Sequence, residues 1–279
     1  MNIIKFLESF TDDALYTSKS DRRESLANLG QLGKKSAAAM IPGGLLGLLL
    51  VPNKSKAATT AVLNDGNPTT ALQLALTLEY LDSEFYQRGL DTPGLIPEGR
   101  DRTSFTKIVQ NENTHVQTII SALGGTDSPN YFDRPEFDYT AGGMFDPFNN
   151  YDQFLAMSQA FEDTGVRAYK GQAHNLMSNR DLLKTALQIH SAESRQACEV
   201  RRLRGEKGWI TGNQRGLGMP EQTQPTYNGE ENANQAGFNS SNVNNGSAGP
   251  AIPSMAGTQA FDEPLTREQV LAIADMFIP

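Results

Sequence analysis

The chain has 279 residues, 38% hydrophobic and 20% charged, an ordinary globular composition with room for one large domain or two small ones. Its formal net charge is −8, and residues 58–279 hold 16 basic against 27 acidic side chains, which argues against nucleic acid, whose phosphates need basic partners. Cys198 is the only cysteine, so an internal disulfide and a cysteine-built zinc site are excluded. With His115, His174 and His190 the only histidines, any metal site must rest chiefly on carboxylates.

Residues 37–51 form an uncharged, largely apolar run behind Arg22, Arg23, Lys34 and Lys35. Its 15 residues fall short of the roughly 20 that cross a bilayer. Ser55-Lys56-Ala57 then sets small residues at alternate positions, so a cleavable export signal fits better than a membrane anchor or a buried helix. Ser20-Asp21-Arg22-Arg23-Glu24-Ser25-Leu26 resembles a twin-arginine signal, the type that carries folded, cofactor-loaded proteins, although Asp21 and Ser25 depart from the usual pattern. The expectation is an exported protein, periplasmic or extracellular, with residues 1–57 as leader; a membrane is a partner only if that leader is retained.

Beyond it, four helix-length periodic segments and no strand alternation predict an all-α fold. The first opens at Asn67-Pro68, a cap followed by proline at the first helical position, and runs to about Gly89. The second runs from about Thr103 to Leu123 and stops at Gly124-Gly125. The third spans about Tyr151 to Met177, and the fourth starts at a Ser178/Asp181 capping box and ends at Gly205. Short links join the first pair and the last pair, while residues 124–150 can run the length of a bundle. Residues 211–259, rich in Asn, Gly, Gln and Ser, are expected to bury little apolar surface and to be mobile. Within residues 260–279, Leu265, Thr266, Gln269 and Val270 combine a capping box with an apolar staple, and Val270, Ile273, Ala274 and Phe277 give a last helix one stripe with which to dock on the bundle.

One glutamate sits at the centre of each apolar stripe. Glu112 lies among Phe105, Ile108, Val109, Val116 and Ile119, and Glu79 among Leu72, Ala75, Leu76 and Tyr86. Glu162 lies among Leu155, Ser158, Gln159, Gly165, Val166 and Tyr169, and Glu193 among Ala186, Ile189, His190, Gln196, Ala197 and Val200. A lone buried carboxylate costs several kcal/mol, so four of them ask for a shared counter-charge. Two divalent ions supply it, and bundles that hold iron or manganese pairs draw a glutamate from two helices and Glu-x-x-His from the other two. Here Glu112-Asn113-Thr114-His115 keeps that motif, whereas Glu193-Ser194-Arg195-Gln196 carries glutamine in place of histidine. Protonated glutamates, or pairing with Arg167 or Arg195, are the alternatives. Tyr80, Tyr86 and Tyr169 are either core residues or partners of the ligands, and the aromatic stretch from Tyr131-Phe132 to Phe148 either caps the bundle or packs as its crossover.

Four stretches together carry a resemblance: Leu76 to Leu81 with Phe85-Tyr86, Glu112 to Val116, Ala160 to Val166 with Ala168-Tyr169, and Ile189 to Gln196. Through them, residues from about Ala71 to Ile210 resemble the ferritin-like domain family of exported bacterial proteins often grouped with desiccation-related proteins. The resemblance implies a ferritin-like four-helix bundle over residues 58–210, with one long crossover between its second and third helices. It implies two divalent metal ions, iron or manganese, with Glu79 and Glu162 as terminal ligands, Glu112 and Glu193 as bridging ones, and His115 completing one ion. Gln196 would stand at the second ion, with His190 a lesser candidate. Two functions follow as expectations: an oxidase or ferroxidase reacting with oxygen or peroxide, or a non-catalytic stress-associated protein with a degenerate site. A monomer or homodimer is expected over a storage cage.

Overall fold

The computed structural model describes residues 67–242, 253 and 255–279. The leader reading of residues 1–57, and most of 243–254, lie outside them. Helix α1, Pro68–Asp91, opens where Asn67 accepts a hydrogen bond from the Thr69 N–H at 2.9 Å. Helix α2, Arg100–Ala122, starts before Thr103, with Gly99 at φ 102° as its cap and no side-chain cap bond. Tertiary contacts hold that extra turn instead: Arg102 bonds to the Leu90 carbonyl, and Tyr151 donates to Asp101 at 2.7 Å.

Helix α3, Tyr151–Gln172, is shorter than its apolar pattern implies, because a tighter 3-10 turn, Ala173–Leu176, follows. The cap of α4, Arg180–Leu203, is Asn179 rather than Ser178: the Asn179 side chain accepts from the Asp181 and Leu182 N–H groups. An asparagine oxygen reaches two orphan donors there, and the helix starts one residue later than the capping-box pattern predicts.

Helices α1 and α2 pack together, as do α3 and α4, and the pairs join through α1–α3 and α2–α4 contacts. The starts of α2 and α3 meet at Asp101–Tyr151, and the end of α4 reaches the start of α2 through Glu199–Arg100. Helices α2 and α3 therefore run the same way, and residues 123–150 must return along the bundle. They do so along α1: Asn130 accepts from Gln73, Phe132 from Tyr80, Tyr139 donates to Leu81, and Phe148 lies under Arg88. The aromatic stretch thus packs as the crossover. This is an all-α four-helix bundle with one long crossover between its second and third helices.

Helix α3 is buried on every side from Phe154 to Tyr169. Its outer face, polar in sequence, is covered by residues 210–230, where Ile210, Met219 and Tyr227 pack on Ala156 and Ala160. Polar side chains add to this packing. Tyr227 donates to Asp163 (2.9 Å), Arg201 pairs with the same Asp163, and Arg167 pairs with Glu230 at 2.7 Å. After a short turn of helix, α5 (Ala256–Gln259), α6 (Arg267–Ala274) carries the Thr266/Gln269 capping box. Its Val270, Ile273 and Ala274 pack on Leu74, Leu78 and Ala168. Gly171 allows this approach, since a Cβ there would run into the Leu265 carbonyl. No helix among the described residues is long and apolar enough to cross a membrane.

The two ends of the bundle core differ. Where α1 ends, Tyr86, Phe105 and Phe154 close the interior, with Phe85 stacked on Phe154 at 4.8 Å. Where α1 begins, small residues leave an apolar cavity of about 30 Å³ lined by Leu72, Ala75, Ile119, Ala168, Ala186 and Ile189.

Candidate metal centre

All four stripe-centred glutamates face the interior and are at most 2% exposed. Glu79, Glu112, His115 and Glu193 bring one donor atom each to within 4.8 Å of one another. His115 Nδ1 lies 3.1 Å from Glu193, 3.2 Å from Glu79 and 3.3 Å from Glu112, carboxylates of three different helices. One ring proton can serve one of these oxygens; Glu193 Oε1 is left with no hydrogen bond at all. Donors about 3 Å apart are spaced as neighbours around a cation whose bonds are roughly 2.1 Å long. The carboxylate and imidazole set suits a hard or borderline divalent ion, so these residues fit such a metal.

Glu162 and Gln196 form the adjoining half. Gln196 Nε2 donates to Glu112 and lies 3.4 Å from Glu162, while its Oε1 accepts from Asn111 at 2.8 Å. The amide thus turns its donor to the carboxylates and has its oxygen held outside the site. Tyr86 donates to Glu162 at 2.7 Å and Tyr169 donates to Glu79. Each tyrosine stands seven residues past the glutamate of its own helix and bonds to that of the other, so α1 and α3 are equivalent by an internal two-fold relation. Tyr80 faces the crossover instead, edge-on to Phe132.

Without a cation, protons must relieve this crowding. Burial pushes the Glu112 carboxyl up to about 8, with the Glu79 charge adding to it. Burial and then Glu112 raise Glu162 and Glu193 well above the carboxylate range. Glu79 is the exception: burial opposes its ionisation, but the adjoining His115 and hydrogen bonds hold its pKa below the usual value. Burial likewise disfavours the His115 cation, yet the Glu79 charge and the close contacts with Glu112 and Glu193 together outweigh it and raise the imidazole pKa.

Three sequence candidates lie elsewhere. His190 sits beside the Val166 backbone near Asp262 and Lys170, outside the cluster, because a residue three before Glu193 points along the helix away from it. Arg167 pairs with Glu230, and Arg195 is exposed against Ser191, so neither neutralises the glutamates. Conversely, Asp82 is a buried acid of the interior that the stripe pattern passes over. It is three residues past Glu79 on the same face, and that spacing was the available signal.

Residues 68–206 match the ferritin-like domain family, a span that contains α1 to α4 and every residue of this centre. No curated protein matches the chain.

Proposed function

We propose, for a chain whose residues 68–206 form a ferritin-like domain, that its interior glutamates hold two divalent ions, iron or manganese, and that the centre oxidises a substrate with oxygen or peroxide. The observation that carries this reading is the convergence of three carboxylates on one imidazole nitrogen, where a single proton serves one contact and a cation serves all. Glu79, Glu112, His115 and Glu193 would hold the first ion, and Glu112, Glu162 and Glu193 would contribute to the second. When bound, the pair would supply electrons to oxygen or peroxide. The chain's own part is to orient and to seal. Tyr86 and Tyr169 fix Glu162 and Glu79 by hydrogen bonds, and the aromatic end keeps bulk water from the carboxylates.

Metal analysis of purified protein beside Glu112→Ala, followed by aerobic addition of ferrous iron, tests this. Near two ions per chain and an oxygen-dependent absorbance are expected in the wild type, with both lost in the variant. A second reading, a non-catalytic stress-associated protein, is favoured by Gln196, which turns a donor rather than an acceptor into the site. Bound metal without any oxygen-dependent signal would select it. Export through residues 1–57, kinship to desiccation-related proteins and a monomeric or dimeric state are proposals from sequence alone. N-terminal sequencing of secreted protein and its mass in solution check the first and the last.

A further inference from the structure

The two halves of the centre are related position by position, and the relation locates a donor. Glu79 and Tyr86 of α1 match Glu162 and Tyr169 of α3, at the same spacing and with reciprocal hydrogen bonds. Glu112 and His115 of α2 match Glu193 and Gln196 of α4. Three residues past Glu162 stands Gly165, and a Cβ there would lie 2.8 Å from Glu193 Oε2. The matching position on α1 is Asp82, which must therefore face Glu112, the counterpart of Glu193. The half with a histidine on α2 thus has glycine on α3, and the half with glutamine on α4 has an aspartate on α1.

Asp82 is only 4% exposed, and no described residue gives it a hydrogen bond. It sits on the interior face one turn past Glu79 and one turn before Tyr86, whose hydroxyl holds Glu162. Burial lifts its carboxyl well above the usual range, and the charges of Glu112, Glu162 and Glu79 add to the rise. A buried carboxylate among three others, with no donor of its own, is strongly unfavourable unless a cation sits beside it.

We propose that Asp82 is an oxygen ligand of the second metal position, supplied from α1 in place of the imidazole that Gln196 does not provide. This rests on the two-ion reading above. Asp82 adds the donor that this half lacks, while the Gln196 amide stays on the carboxylates as a hydrogen-bond donor.

The test loads the full chain with Mn²⁺ alone, without oxygen, and measures ions per chain after gel filtration together with the spin coupling of the manganese pair. Wild type should hold two coupled ions. Asp82→Asn should hold one, with an uncoupled spectrum, and Asp82→Asn combined with Gln196→His should return to two. Circular dichroism melts confirm that each variant is folded, and Asp82→Ser replaces Asp82→Asn if the latter aggregates. Two coupled ions in the single variant, or one in the double, overturns this assignment while leaving the two-ion reading standing. Wild type that takes up fewer than two ions overturns both.

Discussion

The outer face of α3 and the bundle interior both bury acids, and they balance them by opposite means. Outside, each acid has its own guanidinium: Asp163 meets Arg201, and Glu230 meets Arg167. Inside, Glu79, Glu112 and Glu193 share the one imidazole of His115, while the equally buried Glu162 takes its hydrogen bond from Tyr86. The outer network finds its counter-charges within the chain and locks a covering segment in place. The inner one is complete only with protons or cations.

Breaking the outer pairing should cost most. Arg201→Ala leaves Asp163 buried and unpaired, and chemical denaturation should show a loss of about 3–5 kcal/mol. The interior should respond in the opposite sense. With metal removed by chelator, Glu112→Gln should be at least as stable as wild type, because it removes a crowded acid. Ions at a hundredfold their dissociation constant should stabilise wild type by about 2.7 kcal/mol for each site filled and leave the variant unmoved, as thermal melts would show.

The same carboxyl sets a pH slope. Its folded pKa is raised from 4.5 to about 8, so between those values the folded chain keeps a proton that the unfolded chain has released. Chelated wild type should therefore lose stability as pH rises through that window, and Glu112→Gln should flatten the fall. An arginine-paired interior would show no such slope.

Two smaller effects concern the packing that frames the comparison. Gly171→Ala pushes on the Leu265 carbonyl and should loosen α6 at a cost of about 1–3 kcal/mol, seen as faster hydrogen exchange over residues 267–274. Ala186→Leu, which fills the apolar cavity of about 30 Å³, should raise stability by about 0.5–1 kcal/mol without altering metal content. A drop in metal content there would show that the cavity end and the centre are coupled.

The helices and the inward glutamates were legible because their signals are local. Periodicity, the Asn67-Pro68 start and the Glu112-x-x-His115 spacing each depend on residues within two turns of one another. The helix ends that moved were set elsewhere: Asp101 and Arg102 hold the first turn of α2 through partners on α3 and α1. Asp82 was hidden because its stripe already had an acid at its centre, and only the match between α1 and α3 shows which half it faces. The contacts of residues 210–230 were not legible because Arg167, Asp163 and Tyr227 bury polarity by pairing it, which composition does not show.

The sequence alone determined that this chain is an all-α bundle with acids planted in its apolar stripes, since helix period and residue order suffice to define a face. Only the tertiary structure decided which acids meet, which are answered by arginine and which are left to share one histidine. Charge balance is a property of neighbours in space, and those neighbours come from helices up to more than a hundred residues apart in the chain.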